Sequence, residues 1–347
     1  MRSRTVGIVL AGLGVLCLAA AAILAWVVGP SRAKLPSDLD ITRQYSGTAK
    51  IALNAEALAA GNIQQALVVD RPANVDRAVK VLATSGDTAE VQDSRTVTAG
   101  GGQIGATTAT YAVDRKDLMA TTDHPSDWKV VSAEGLTVSF PIGAEKKDYT
   151  GWVNETQSTT PVKYVKEETH AGIDTYVYQS SAAAKQIKDQ QILSALPKAI
   201  PGGTLAQVVA ALPLPAEVTA TLSRVLPNTS QPLPLSYTYE QSSTYWVEPT
   251  TGSVIDVQRE EIRKAGLQLP DGTTVAAVLP IYDVSTKGTD SSVASAADDA
   301  QSKKNSLDAV RRTWPLVLTV VGGVLVVAGV ILVLLRPTRR PAGGEQP

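Results

Sequence analysis

The chain has 347 residues, with 32 Lys and Arg against 33 Asp and Glu, for a formal net charge of -1. Only 19% of its residues are charged, below the roughly 25% usual in soluble domains. The single cysteine, Cys17, excludes an internal disulfide and a cysteine-rich zinc or iron–sulfur site, and the balanced charge excludes a generic nucleic-acid binder.

Hydrophobicity concentrates at the two ends. Val6 to Val28 is an uncharged apolar run, and Trp314 to Leu335 is another, with Thr319 as its only hydroxyl. About 20 apolar residues at ~1.5 Å each cross a ~30 Å hydrocarbon core, and both runs reach that length. Trp26 and Trp314 stand at run edges, where indole favours the headgroup region. The first run exceeds the ~7–15-residue core of a signal peptide and is followed by a poor cleavage pattern, so it reads as a retained anchor. Gly7, Ala11 and Gly14 share one face of the first run, and Gly322 and Gly329 share a face of the second. Small residues at such spacing let two helices approach closely in lipid.

The organisation expected is therefore a cytoplasmic tail (1–5), a transmembrane helix (6–28), a β-rich ectodomain (29–290), a helical stalk (291–313), a second transmembrane helix (314–335) and a second cytoplasmic tail (336–347). The fold class is α+β: one large extracytoplasmic domain flanked by a membrane helix at each terminus. Short Arg-bearing tails place both termini in the cytoplasm and residues 29–313 outside the plasma membrane. The absence of cysteine from that outer segment fits a bacterial envelope.

Within the ectodomain, Tyr45 to Arg115 reads mostly as strand. Thr and Val dominate it, and turn residues such as Ser85-Gly86-Asp87 punctuate it. The glycine-rich stretch Ala99 to Gly105 is followed by strand-like sequence, which makes it a hairpin or loop and not a phosphate-binding loop. Further strands are expected at 136–140, 162–168, 174–179, 235–240, 245–247 and 253–263, with a turn at Glu248 to Gly252. Between them, a helical insert is expected over about 181–226, broken at Pro197, Pro201 and Pro213. Thr204 is its candidate N-cap and Pro215 suits a first helical turn. Leu214, Val218, Leu222, Val225 and Leu226 form an apolar stripe at helical spacing.

Three blocks, Leu35 to Asp40, Phe140 to Tyr149 and Tyr245 to Gly252, resemble an actinobacterial envelope family of unknown function often described as porin PorA. The resemblance covers most of the chain. It implies a span at each end, a β-rich segment between them and, from the description, channel formation. In architecture alone, the two-anchor plan also resembles class B scavenger receptors, which handle lipids; this chain lacks the disulfides of those receptors.

Enzyme signatures are sparse. The chain has no G-x-S-x-G or H-E-x-x-H motif. Ser31–Lys34 and Ser126–Lys129 match S-x-x-K without the partner motifs of a β-lactam-type site. His124 and His170 both lie in turn-like contexts. Adjacent acidic residues such as Glu260-Glu261 point to opposite faces of a strand and form no local dyad. Asp38 and Asp40 share a strand face but are too few ligands for calcium. No catalytic, cofactor or metal residues are assigned.

The function expected is non-catalytic binding or handling of an envelope lipid or protein partner by a membrane-anchored protein. The stripe Leu214, Val218, Leu222, Val225 and Leu226 is the candidate ligand or partner surface. A porin-like channel and a hydrolase with an unrecognised site are the alternatives. A channel needs a polar path, which neither apolar run supplies.

Overall fold

A computed structural model describes residues 2–29, 33–54, 57–58, 62, 66–212, 214, 216–225, 232–268 and 274–335, without the side chains of 2–4, 217, 221, 224, 225 and 274–278. The chain divides into two compact units, one of residues 1–34 and 302–347 and one of residues 35–301.

The first unit is a helix pair. Helix α1 (Arg2–Ile23) ends in a π-helical turn at Leu24–Val28. Helix α6 (Trp314–Leu334) opens with Pro315, where a missing N–H costs little. Thr319 donates its hydroxyl back to the Pro315 carbonyl at 2.7 Å, so the run's only side-chain hydroxyl is satisfied within its own helix. The two helices meet through their glycines. A Cβ on Gly14 would lie 2.6 Å from the Gly322 carbonyl oxygen, and one on Gly7 would lie 2.7 Å from that of Gly329. Backbones this close require residues without side chains. The opposite faces stay apolar and exposed, with Leu16, Trp26, Leu316 and Leu334 all projecting outward. Two helices, Thr5–Val28 and the stretch ending at Leu334, are long and apolar enough to cross a membrane.

The second unit is built on one antiparallel sheet. Its strands are β1 (Asp40–Leu53), β2 (Leu67–Ser85), β3 (Thr88–Ala99), β4 (Gly102–Asp114), β5 (Tyr149–Val153), β6 (Ser158–His170), β7 (Ile173–Gln186), the two-residue β8 (Ala199–Ile200), β9 (Leu233–Glu248), β10 (Ser253–Gln268) and β11 (Thr274–Gly288). They run in the order β4-β3-β2-β1-β11-β10-β9-β7-β6-β5, with β8 paired to β9. β1 to β4, β5 to β7 and β9 to β11 pair in sequence as hairpins, β7 pairs with β9, and β1 pairs with β11 from the far end of the chain, Tyr45 opposite Gly288.

The sheet curls until its outer strands are joined. Val113 on β4 bridges to Ala120, Met119 bridges to Leu136, and Leu136 bridges to Gly151 on β5. The segment between β4 and β5 thus links the first and last strands. Gln191 adds a second link, since its side-chain amide accepts from the Thr108 N–H at 3.1 Å and donates to the Thr108 carbonyl at 2.7 Å. An amide that mimics a strand partner satisfies edge groups that would otherwise be open to pairing.

Three short helices stand between β7 and β9: α2 (Gln190–Ala195), α3 (Gly202–Ala211) and α4 (Ala216–Val225). Asp189 caps α2 by accepting from the Gln191 N–H at 2.8 Å. A fourth, α5 (Asp290–Asp308), buries Ala296, Ala297 and Ala300, the last two in a cluster with Ile255, and ties to the sheet through Arg43–Asp299 at 2.7 Å.

Several sequence expectations change here. The insert starts at Gln190 and not at Ser181, because β7 continues past Ala182, which pairs with Gln241 on β9; ladder pairing overrides the helix propensity of alanine. Thr204 lies inside α3, whose N-cap is Pro201. Residues 136–140 form a bridging segment with no strand of its own, since only Leu136 pairs. Strand β11 was not expected. Pro280 interrupts its pattern, and the ladder absorbs it by a register shift between Arg263 and Lys264, the residue opposite. Pro213, Pro215, Leu226 and the tail 336–347 lie outside the described residues.

Candidate functional site in the interior of the curled sheet

Alternation along the strands decides what enters the interior. On β2 the inward series includes Val75, Arg77, Val79 and Val81, and on β3 it includes Val91, Asp93, Arg95 and Val97. Val257, Arg259 and Glu261 follow the same phase on β10. The middle of the interior is therefore charged, with apolar layers on either side.

The charges are matched by geometry. Arg77 donates from Nε and Nη2 to the two carboxylate oxygens of Asp93 at 2.9 and 2.7 Å, and from Nη2 to the Val138 carbonyl at 3.2 Å. Arg95 donates from Nη1 and Nη2 to the two oxygens of Glu261 at 3.1 and 3.0 Å. Tyr239 donates its hydroxyl to Glu261 Oε1 at 2.7 Å. Arg259 donates to Ser243 Oγ at 3.1 Å and to the Tyr245 hydroxyl at 3.3 Å. Arg263 lies over the rings of Tyr282 and Tyr239, at 4.5 and 5.9 Å from their centroids.

Burial makes these charges costly unless they are paired, and the titration behaviour reflects that. Burial alone would raise the Glu261 carboxyl, but Arg95 and Arg259 outweigh it and hold the group down at about 2. Burial also opposes ionisation of Asp93, yet Arg77 keeps its carboxyl below the usual range. Glu155, buried and close to Glu261, goes the other way: burial first, then the neighbouring carboxylate, push it up. Burial raises Tyr239 and Tyr111, whereas Arg259 overcomes burial at Tyr245 and brings that phenol down.

A partly open cavity of about 120 Å³ lies among these groups. Arg77, Arg95, Arg259, Tyr111, Trp152 and Ser180 contribute to its wall. Its wall also carries Leu136, Phe140 and Val257, and it is too small to enclose a whole long acyl chain. A second, apolar cavity of about 30 Å³ lies between α3 and the sheet, walled by Leu205, Val208, Leu212, Tyr237 and Leu279; it is of water size.

The stripe expected from sequence belongs to the apolar end of the domain. Leu222 is 1% exposed and lies in a cluster with Leu205, Val208, Leu233 and Leu267. Leu214 and Val218 are half-buried against the same cluster. The side chain of Val225, and all of Leu226, lie outside the described residues. The structure thus gathers Leu214, Val218 and Leu222 on one cluster, away from the charged interior.

The other singled-out residues are placed as follows. His170, at the end of β6, is half-buried; its Nε2 is 3.1 Å from Asp256 and its ring stacks on Trp246. His124 stacks on Trp128, with Nδ1 2.9 Å from the Pro125 carbonyl. Asp40 pairs with Lys80 at 3.0 Å. Glu260 and Glu261 take opposite faces, Glu260 receiving Lys50 on the outside and Glu261 receiving Arg95 within. Among the described residues, no three His, Cys, Asp or Glu side chains converge as metal ligands.

The interior charges escaped the sequence reading, although a signal was present. A charged residue in phase with buried valines, as in Val75-x-Arg77-x-Val79, marks an inward charge that must find a partner.

Two of the blocks that carried the resemblance pack together. Phe140 stacks near Tyr178 and Tyr245, and Ser139 donates to the Gly252 carbonyl at 2.9 Å. Gly252 has φ +69°, and a Cβ there would collide with the Phe140 and Pro141 carbonyl oxygens. Ala144 N–H donates to the Pro249 carbonyl at 2.8 Å. These blocks fix the turn between β9 and β10 against the bridging segment. A family model described as porin PorA matches residues 6–331. The chain belongs to the porin PorA family. No curated protein matches it. Family and terminal helices together identify a membrane or envelope protein.

Proposed function

We propose that this member of the porin PorA family is a two-span protein of the plasma membrane whose outer domain binds or handles an envelope partner without catalysing a reaction. Residues 29–313 lie outside the cell in this reading and both termini lie in the cytoplasm.

The observation that carries the reading is the outer face of the sheet. It is laced with cross-strand ion pairs: Lys50 with Glu260 and Asp283, Lys264 with Glu240, and Lys80 with Asp40. Gln44 bonds to Asp76 on the same face. A barrel that spans a membrane turns an apolar band outward, and a mid-membrane Lys or Arg on that face costs about 2–4 kcal/mol. This face suits water, so the sheet works outside the bilayer and the two apolar helices work inside it.

The channel reading rests on the family's description and on the curl of the sheet. It requires a water path through an interior that Arg77–Asp93 and Arg95–Glu261 fill with ion pairs. Within the apolar runs 6–28 and 314–335 the only side-chain hydroxyl is that of Thr319, already bonded within its helix. Purified full-length protein in a planar bilayer should therefore give no stepwise conductance. Reproducible unitary steps, abolished by deletion of one span, would replace this reading with the channel.

A further inference from the structure

Four buried side-chain atoms without a hydrogen-bond partner belong to residues that line the charged cavity: Thr137 Oγ1, Trp152 Nε1, Asn154 Oδ1 and Ser180 Oγ. Only two other such atoms, Arg263 Nε and Asp283 Oδ1, are found among the described residues. Native proteins leave few buried polar groups unpaired, so a concentration of them around one open space calls for an occupant. Ser180 is 5% exposed, so bulk solvent does not satisfy its hydroxyl.

The chemistry of the wall specifies that occupant. An indole N–H can only donate, and the two hydroxyls can donate. They come from three places in the fold, Thr137 from the bridging segment, Trp152 from β5 and Ser180 from β7. Arg259 on β10 adds a guanidinium that forms no ion pair, its bonds going to Ser243 and Tyr245. Two carboxyl groups share the wall: Asp93 is neutralised by Arg77, and burial pushes Glu155 up toward its uncharged form. Convergent donors around a guanidinium that has no carboxylate at ion-pair distance describe a site for an oxyanion. Asn154 Oδ1 adds a condition. It is an acceptor, oriented by the bond that its own Nδ2 donates to Asp189 at 2.6 Å. An occupant that brings a proton of its own satisfies it directly; sulfate and a carboxylate cannot do so at neutral pH, and a phosphate with a P–OH can.

We infer that the interior cavity is a binding site for a protonated phosphate, either inorganic phosphate or a phosphomonoester, held by Arg259, Ser180, Trp152 and Thr137 and selected through Asn154. The cavity of about 120 Å³ accommodates the phosphate group and is too small for a whole long acyl chain, so a lipid would be held by its headgroup. The inference rests on the binding role proposed above and names the ligand class for it.

The test is isothermal titration of full-length protein in detergent with sodium phosphate, sodium sulfate and dihexanoyl phosphatidic acid. Phosphate should bind with a dissociation constant below about 10 mM, and sulfate at least about tenfold more weakly. Ser180→Ala and Trp152→Phe remove one donor each and keep the wall's charge. Each should weaken phosphate binding about tenfold, as loss of a hydrogen bond to an ion does. Asn154→Asp should weaken it further by placing a carboxylate beside the anion. Tighter binding of dihexanoyl phosphatidic acid than of phosphate would identify a lipid headgroup as the source; equal or weaker binding would identify the free ion or a soluble ester. Absence of binding by both, equal affinity for sulfate and phosphate, or wild-type affinity in both donor variants would overturn the site. The site and the anchored-domain reading fail separately. A protein that binds no phosphate and conducts nothing loses only the site, whereas unitary conductance with intact phosphate binding overturns only the anchored-domain reading.

Discussion

Arg95 on β3 and Glu261 on β10 form a two-pronged ion pair although β2, β1 and β11 separate their strands in the sheet. At about 4.8 Å per strand, four steps across a flat sheet would put them roughly 19 Å apart. The pair exists because the sheet curls, and it sits where the curl brings opposite walls together. Breaking one member should cost more than a surface pair would. Arg95→Met leaves Glu261 buried without its two-pronged partner, and should lower stability by about 3 kcal/mol, with Arg259 and Tyr239 limiting the loss. Arg95→Met combined with Glu261→Leu should recover much of that loss, since apolar replacement of a buried pair is often neutral. Urea unfolding of the full chain in detergent, followed by tryptophan fluorescence, checks both. Equal losses in the single and double variants would refute the pairing account.

The same interior gives a signed pH dependence. The folded carboxyl of Glu261 is held down to about 2, below its unfolded value near 4.3. Its contribution is full above the unfolded value and is lost as pH falls through the folded one, so stability should drop between about pH 5 and 2. Asp93, also lowered, adds to that drop. Glu155, raised by burial and by Glu261, acts in the opposite sense. It carries a penalty at neutral pH that protonation relieves on mild acidification. Stability measured from pH 8 downward should therefore hold or rise slightly before it falls. Glu155→Gln should match or exceed wild type by about 1 kcal/mol at pH 7 and should abolish the rise. A Glu155→Gln protein clearly less stable than wild type at pH 7 would show that the ionised carboxylate is needed.

How far the sequence could be read follows from the range of each interaction. The terminal helices were legible because a run such as Val6 to Val28 states its length and polarity locally. So was the opposition of Glu260 and Glu261, which needs only the two-residue repeat of a strand. The glycines that join α1 to α6 were visible as a shared face, although more than 300 positions separate Gly14 from Gly322. The closure of the sheet was not visible. It depends on Leu136 pairing with Gly151 and on Gln191 reaching Thr108, contacts that no periodicity encodes. The charged cavity was missed for the same reason. Arg77 and Asp93 could be seen to face inward, but their convergence with Arg259 and Ser180 exists only after the curl.

Leu222 provides a test of the insert. Its side chain is 1% exposed, among Leu205, Leu233 and Leu267. Leu222→Asp replaces an apolar contact with a buried, unpaired charge, and Leu222→Ala opens a cavity. The alanine variant should lose about 2–5 kcal/mol and the aspartate variant at least as much. Leu214→Ala and Val218→Ala, at half-buried positions, should cost less. If Leu222→Asp left stability unchanged while a partner was lost, the stripe would be a contact surface and not core.

Topology can be read by labelling in intact cells with a membrane-impermeant thiol reagent, in a Cys17→Ser background. Ser126 is exposed on the unit that holds the sheet. Ser126→Cys should be labelled without lysis, and Gly344→Cys only after it, because two spans put both ends on one side. Reversed labelling, or a mature N-terminus near residue 34, would overturn the two-span arrangement.

The helix pair allows a sharper test with the native cysteine. A Cβ on Gly322 would lie 3.1 Å from the Cβ of Cys17. Disulfides need about 3.5–4.5 Å between these atoms, so a small separation of the helices brings the pair into range. That separation is also required because the same Cβ would come 2.8 Å from the Gly14 carbonyl oxygen. Gly322→Cys should therefore form an internal disulfide with Cys17 on mild oxidation, seen as a gel shift that reductant reverses. Gly323→Cys is the control: a Cβ there meets nothing within 4 Å, so it faces away from α1. It should remain reduced or link only between chains. Crosslinking at Gly323 and not at Gly322 would mean that α6 turns a different face to α1, and the glycine contacts at Gly14 and Gly7 would fall with it.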